Sequence, residues 1–456
     1  MCNKSNSPFI DTSVSLTLVI LFIVGIHTRY TLYLSPRMYI PYIFSGIAGI
    51  LLLGKNAKKI KIRHIIPIFG IIGVASITII FAPHFVRYFL ERFKALIYLT
   101  YSIVIGYALY LEIASWKRKM IVKFLLSATF IILIGSILEN FTFIKEVSDY
   151  FRLNALHHAY SADFRDLNLH GGVRPKFFTA EPSMLAATYV LLSTSWLILS
   201  KSKIRYIVYF AMLILMIMAS RSPVLFIGIT NACAIFLFSR ISSQKINLKL
   251  VVKRGLSFLM IIIIGLGIIY LASTRIISGR YEAVVRGEDE SLIIRTVVPL
   301  VISYSTLSQY PFFGAGIGGK EAIEEITLEV LLSHNIAIKR LVAGVGVSHT
   351  IASAFFEYWI VFGILGGTIG VFLIANLAKR LGCKDTFTFL IIIVSYSLVQ
   401  GAVGGTWIWS SIFITIIALE HANRTCGWFG KRKRRCFFSE YNLRDNLYDG
   451  GKNAQI

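Results

Sequence analysis

Long apolar runs separated by short polar segments extend along the sequence as far as about residue 420. A helix that crosses the hydrocarbon core of a bilayer needs about 20 mostly apolar residues. About twelve runs approach this length, and they lie near 14–34, 38–54, 64–82, 95–112, 120–138, 184–200, 204–219, 222–239, 250–272, 350–375, 387–402 and 405–420. The pattern predicts an all-α integral membrane protein with about 12 transmembrane helices, in which residues 1–456 form a single polytopic membrane domain.

The composition supports this fold class. Hydrophobic residues make up 56% of the 456 residues and charged residues only 15%, whereas an average soluble domain carries about 25% charged residues. A soluble chain of this length would also divide into domains joined by polar linkers, and the sequence contains no such linker. These values exclude a soluble enzyme, a fibrous protein and a disordered protein.

Basic residues are concentrated in every second connection between the predicted spans. They are Lys55, Lys58, Lys59, Lys61, Arg63, Lys117, Arg118, Lys119, Lys123, Lys201, Lys203, Arg205, Arg240, Lys245, Lys249, Lys253, Arg254, Lys379, Arg380, Lys384 and Lys431–Arg435. Cytoplasmic loops are enriched in lysine and arginine, so we predict both termini, and the basic tail at 421–456, on the cytoplasmic side. The net charge of +24 then indicates contact with anionic lipid of the bilayer rather than with nucleic acid.

Two long segments, 139–183 and 273–349, fall on the predicted external side. Loops of this length without a function are uncommon. Apolar residues recur at helical spacing over Gly319–Leu341, so we expect short helices in these loops, near the membrane surface. The five cysteines show no disulfide or zinc spacing, and the acidic residues form no metal-ligating cluster, so we expect no metal and no cofactor.

A very short connection, Ala219–Pro223, separates the seventh and eighth predicted spans. It places Arg221 at the external membrane boundary, on a turn fixed by Pro223. A guanidinium matches the oxygens of a phosphate with two parallel hydrogen bonds. The alternative is that Arg221 extends to ordinary lipid headgroups.

Several short motifs follow one another in a fixed order. The first is Phe177–Ser183, with the sequence FFTAEPS, and the second is the Arg221 turn. Arg295 then precedes the turn Pro311–Gly316, PFFGAG, and the last motifs are Ser348-His349-Thr350 and Gly363-Ile364-Leu365-Gly366. In this order the sequence resembles the Wzy-like O-antigen polymerase and O-antigen ligase superfamily of membrane glycosyltransferases. That family often has Asn after the histidine, whereas His349 is followed by Thr350. The dipeptide His334-Asn335 fits the family pattern, so His334 is the alternative to His349 as the motif histidine.

The resemblance implies a helical fold of the GT-C type and a reaction at the periplasmic face of the bacterial inner membrane. The expected activity is polymerisation of undecaprenyl-diphosphate-linked repeat units in O-antigen, lipopolysaccharide or other surface polysaccharide biosynthesis, without a metal. The Glu-Pro-Ser turn favours a polymerase over a ligase that transfers glycan to lipid A–core. A flippase for lipid-linked oligosaccharide is the alternative from another class. A chain-length regulator is the expected protein partner.

The resemblance also assigns roles to residues. Arg221, Arg295 and Arg280 are expected to bind the diphosphate, because arginines stabilise a negatively charged leaving group. His349 and Glu181 are the candidate bases for the acceptor hydroxyl.

Each of these residues also has a structural interpretation. Arg280 has acidic neighbours in sequence with which it could form ion pairs, and Glu181 precedes Pro182 at a helix start, where a carboxylate is favourable by itself. His349 could be a hydrogen-bonded histidine of the membrane interface. Trp116, Trp407 and Trp409 are interpreted as membrane-interface anchors rather than as sugar-binding platforms.

Overall fold

The computed structural model describes residues 8–35, 38–156, 166–167, 172–238, 297–333, 351 and 353–424. The ninth predicted span, most of the second external loop and the basic tail lie outside these residues. The described α-helices are α1 Pro8–Thr28, α2 Ile43–Lys55, α3 Ile62–Ile80, α4 Phe89–Ile113, α5 Arg118–Phe141, α6 Ile144–Ala155, α7 Pro182–Leu199, α8 Arg205–Ser220, α9 Phe226–Phe238, α10 Val297–Gln309, α11 Glu324–Ser333, α12 Ala354–Arg380, α13 Thr386–Val399 and α14, 406–424. Short 3-10 helices cover Ala57–Lys59, Pro223–Leu225 and Glu321–Ile323.

The prediction of a helical, multi-pass membrane protein is confirmed at this level. Five of the described helices, α3, α4, α5, α7 and α12, are long and apolar enough to cross a membrane. Several other apolar helices are shorter; α13, for example, has 14 residues, a length of about 21 Å against a hydrocarbon core of about 30 Å. The total of about 12 spans and the GT-C classification therefore remain predictions.

The first predicted span is wrong at its end. Helix α1 stops at Thr28, and two short strands, β1 Leu32–Ser35 and β2 Met38–Ile40, pair as an antiparallel hairpin. Arg29 breaks the helix with a left-handed backbone, φ 55°, and its guanidinium donates a hydrogen bond to Gln400 at 2.7 Å. The apolar count alone did not reveal this polar contact, because Gln400 is distant in sequence.

Helix α7 is the centre of the described bundle. Nearly all of its side chains from Pro182 to Leu199 are buried, and it packs against α5, α8 and α9. A helix that is apolar on all sides is expected in such a position. The start of α7, which carries the Glu-Pro-Ser turn, is thereby held in place by surrounding helices.

Contacts between helix ends that are distant in sequence form two groups, one among segments predicted to be cytoplasmic and one among segments predicted to be external. At one end, Arg118 donates to the Leu199 carbonyl at 2.9 Å. At the other end, Gln400 donates to Ser183 at 2.8 Å and His27 contacts the Phe177 carbonyl at 2.8 Å. The second group joins segments predicted to be external, and we refer to this end as the predicted external end.

The glycine-containing turn Pro311–Gly316 docks into a break in α12. Gly363 interrupts the helix with φ 64° and ψ −172°. The Ala315 and Gly316 amides donate to carbonyls of α12 before the break, at 2.8 and 3.0 Å, and the Ile364 amide donates to the Pro311 carbonyl at 2.7 Å. Two of the sequence motifs, the Pro311–Gly316 turn and the segment at Gly363, are therefore hydrogen-bonded to each other through their backbones. We call this contact the joint.

Arg92 holds the same joint from α4. Its side chain is fully buried, and its guanidinium donates to the carbonyls of Ala315 at 2.6 Å and Pro83 at 2.7 Å. Gly316, with φ 76°, leaves no space for a Cβ, which would lie 2.4 Å from the Arg92 guanidinium. The joint thus fixes the segment after the turn, residues 317–321, against the start of α4.

Candidate functional site

A cavity of about 530 Å³ lies at the predicted external end, between α5, α8 and the segment that precedes α7. Four cationic side chains and one carboxylate are among its lining residues: Lys145, Arg174, Lys176, Arg221 and Glu139. We call it the cationic cavity. Its volume is in the range of small-molecule binding sites, about 300–1,000 Å³, and its charge suits an anionic ligand.

Arg221 occupies the turn that the sequence predicts. Helix α8 ends at Ser220, and Arg221 is its C-terminal cap, in a left-handed conformation with φ 47°. Its amide donates to the Ile217 carbonyl at 2.9 Å. A non-glycine residue in this region costs about 1–3 kcal/mol and is found most often at functional sites.

The segment 172–181 forms the opposite wall and is tied to its surroundings by backbone hydrogen bonds. The buried carboxylate of Glu139 accepts the amides of Lys176, at 3.1 Å, and Phe177. The Phe178 amide donates to Ser148 at 3.0 Å, and Arg152 donates to the Thr179 carbonyl at 2.8 Å. This wall is therefore positioned before any ligand binds, which is the condition for efficient electrostatic stabilisation.

Three of the four cations were not assigned a role from the sequence. Arg174 forms an ion pair with the buried Asp166 at 2.7 Å, and Lys176 is only 2% exposed. Lys145 lies at the start of α6. The sequence shows them as ordinary loop cations. The fold of 172–181 onto α5 places Arg174 and Lys176 beside Arg221, and α6 carries Lys145 to the same cavity.

Gly172 leaves space for the Arg221 guanidinium. A Cβ at this position would lie 2.5 Å from Nη1 of Arg221. We expect Gly172→Ala to displace the guanidinium, because the end of a long side chain moves more easily than the backbone. Polymerisation by this variant should fall by about tenfold or more, given the dependence of such catalysis on ångström-level placement.

The matched control for Gly172→Ala is Gly73→Ala in α3, where a Cβ meets nothing within 4 Å. Both variants should keep the melting temperature of the wild type or exceed it. At Gly73 alanine is favoured over glycine because the residue lies in a helix, and at Gly172 the added Cβ clashes only with a movable side chain. Equal activity of both variants would show that the position of Arg221 does not matter.

Glu181 is the N-cap residue of α7, with Pro182 at the first helical position. It is half-buried, and its side chain makes no capping hydrogen bond to the helix. A carboxylate at this position still interacts favourably with the start of the helix, so the structural interpretation stands beside the role as a base, which stays a prediction. Arg280, Arg295, His334 and His349 lie outside the described residues.

An apolar cavity of about 360 Å³ lies between α3, α12 and α13. Aromatic side chains of the first half of α12, Phe355, Tyr358, Trp359 and Phe362, are among its lining residues. Its walls are suited to hydrocarbon rather than to a charged group.

Comparison with known proteins bears on the identity of the chain. The family model described as "WcaD colanic acid polymerase" matches residues 39–421. Searches of curated proteins and of solved structures found no match. The matched range covers most of the 456 residues, including both walls of the cationic cavity, and it confirms the resemblance given by the motifs. The chain belongs to the WcaD colanic acid polymerase family, one of the Wzy-like O-antigen and polysaccharide polymerase families.

Proposed function

We propose that the protein is a metal-independent membrane glycosyltransferase that joins undecaprenyl-diphosphate-linked repeat units into a surface polysaccharide. The observation that carries this proposal is the convergence of Arg221, Arg174, Lys176 and Lys145 on one cavity. Family membership adds that the reaction is a polymerisation. We place the protein in the bacterial inner membrane with the cavity at the periplasmic face, as the distribution of basic loops predicts.

The chemistry follows from the leaving group. Transfer of the glycan breaks the bond between the anomeric carbon and a phosphate oxygen, and negative charge develops on the departing diphosphate. Arg221 and its three cationic neighbours would stabilise this charge in place of a metal ion. Arg295 and Arg280, from the second external loop, are proposed to complete the set.

The acceptor hydroxyl must lose a proton as it attacks the anomeric carbon. We propose His349 as the base, because imidazole accepts a proton near neutral pH. Glu181 and His334 are the alternatives. The substrate's polyprenyl chain would lie in hydrocarbon, and the apolar cavity of α12 and α13 is a suitable wall for it. A chain-length regulator remains the expected protein partner.

The test uses purified protein in detergent with lipid-linked repeat unit as the only saccharide and EDTA in the buffer. The proposal predicts a ladder of long lipid-linked glycans. Product that forms only after lipid A–core is added would indicate the ligase, and no glycosyl transfer in either condition would overturn the proposal. Vesicles with the same lipid provide the flippase control, because a flippase would move the lipid across the bilayer without changing its glycan.

A further inference from the structure

A second cavity, of about 450 Å³, lies at the predicted external end. Its walls come from the β-hairpin region, the start of α4, the segment after the Pro311–Gly316 turn and the glycine-rich segment 401–407. Three carboxylates, of Glu91, Glu321 and Glu357, and one cation, Lys320, are among its lining residues. We call it the acidic cavity. Its charge is opposite to that of the cationic cavity, so it is poorly suited to a diphosphate.

Glu357 is the most firmly held of these carboxylates. It lies in the first turn of α12 and its side chain is 8% exposed. One oxygen pairs with the Lys320 ammonium at 3.0 Å, and the other accepts the Val403 amide at 3.1 Å. An ionised carboxylate has about four acceptor positions, so Glu357 can accept further hydrogen bonds from hydroxyl groups.

Aromatic rings form another part of the wall. Tyr39 and Tyr98 lie with ring centroids 4.9 Å apart, and the Tyr98 hydroxyl donates to the Tyr39 carbonyl at 3.0 Å. Trp407 also lines the cavity. Its interpretation as a membrane-interface anchor is wrong, because the side chain is only 1% exposed within the bundle.

Trp407 also has an unsatisfied polar atom. Its indole N–H is buried and has no acceptor among the described residues. Buried donors in proteins are nearly always paired, and an oxygen of a ligand in the acidic cavity, which Trp407 lines, would satisfy this one. Carboxylates that accept hydroxyls, an N–H that donates to them and aromatic faces for C–H groups together match a saccharide.

The two cavities share no lining residue among those described, yet their walls are connected. Gln400 accepts from Arg29 at 2.7 Å and donates to Ser183 at 2.8 Å. These hydrogen bonds connect the 401–407 segment, which lines the acidic cavity, to the start of α7. Helix α7 directly follows the 172–181 segment, which lines the cationic cavity. A polymerase must hold two glycans at one end of the bundle, one as donor and one as acceptor.

We propose that the acidic cavity binds the acceptor saccharide, while the cationic cavity holds the diphosphate of the donor. This inference rests on the proposed function, because only a transfer between two glycans requires the second site. Hydroxyls of the acceptor bind to Glu357 and to the rim carboxylates, and a sugar oxygen accepts from Trp407. The acceptor site recognises the sugar and not its lipid.

The probe is the oligosaccharide released by mild acid from the lipid-linked repeat unit, titrated into purified protein in EDTA and followed by calorimetry. Trp407→Phe keeps a six-membered aromatic ring but removes the five-membered ring of the indole with its N–H, so the lost volume of this buried side chain should lower the melting temperature. We expect it to weaken saccharide binding about fivefold, and Glu91→Gln, at the exposed rim, to weaken it about threefold. Arg221→Ala should leave saccharide affinity unchanged.

The control is Trp116→Phe, at the opposite end of the bundle, whose N–H donates to Glu112 at 3.1 Å. It should lower the melting temperature and leave saccharide affinity unchanged. Wild-type affinity in both Trp407→Phe and Glu91→Gln, or no saccharide binding by the wild type, would overturn the acceptor site. Saccharide binding that follows the prediction in a protein without polymerase activity would instead contradict the proposed function alone.

Discussion

Replacing Arg221 with alanine is expected to lower the rate of polymerisation by about 10²–10³-fold, the usual cost of removing one stabilising donor from a transition state. The guanidinium is one of four cations that line the cationic cavity, and it is held there by a left-handed cap at the end of α8. Arg221→Lys should be intermediate, because an ammonium keeps the charge but loses the planar, two-pronged contact. Single-turnover assays with lipid-linked repeat unit measure these rates.

The matched control is Arg87→Ala. Arg87 is exposed on the connection between α3 and α4, at the same predicted external end, and stacks over Tyr88 at 5.2 Å. It is not among the residues that line the cationic cavity. Its loss should change the rate by less than about twofold. A similar loss of rate in both variants would mean that positive charge at this face, and not Arg221 itself, is what matters.

The second large effect is on stability. Gly363→Ala should destabilise the protein by about 2–4 kcal/mol, since it combines a backbone conformation that is almost restricted to glycine with steric overlap. Gly363 has φ 64° and ψ −172°, and a Cβ there would lie 2.5 Å from the Gly314 amide nitrogen and 2.6 Å from the Phe312 carbonyl. Both neighbours are backbone atoms, so neither can move aside without disrupting the joint.

Thermal unfolding in detergent checks this, with Gly73→Ala as the control. Gly73 is a helical glycine with open space around it, so alanine there should leave the melting temperature unchanged or raise it by a few degrees. A Gly363→Ala variant as stable as the wild type would show that the break in α12 is not needed for the docking of the Pro311–Gly316 turn.

The length of the apolar runs predicted where helices form, but not where a helix ends or is interrupted. Each predicted span within the described residues overlaps a helix, because a long apolar run is stable in a membrane only as a helix. Helices α6, α10 and α11 lie instead in the two segments predicted as external loops. The hairpin after Thr28 and the break at Gly363 were missed. Both depend on partners distant in sequence, Gln400 for Arg29 and the Pro311–Gly316 turn for α12.

The candidate site was predictable in part. A short connection between two spans indicated the placement of Arg221 at a turn, and the structure has that turn. The convergence of Lys145, Arg174 and Lys176 on the same cavity was not predictable. The hydrogen bonds of Glu139 to the 172–181 segment hold Arg174 and Lys176 at the cavity, and Lys145 reaches it from α6. A glutamate at the end of a span carries no sequence signal for such contacts.

Lipid binding measures whether the cationic side chains bind a diphosphate headgroup without a metal. Purified protein in EDTA is titrated with undecaprenyl diphosphate and with undecaprenyl monophosphate, for the wild type and for the double variant Arg221→Ala with Lys145→Ala. We expect the wild type to bind the diphosphate about tenfold or more tightly than the monophosphate, and the double variant to lose this preference. Equal affinity of the wild type for the two lipids, or an unchanged preference in the double variant, would show that the cationic cavity does not hold the diphosphate.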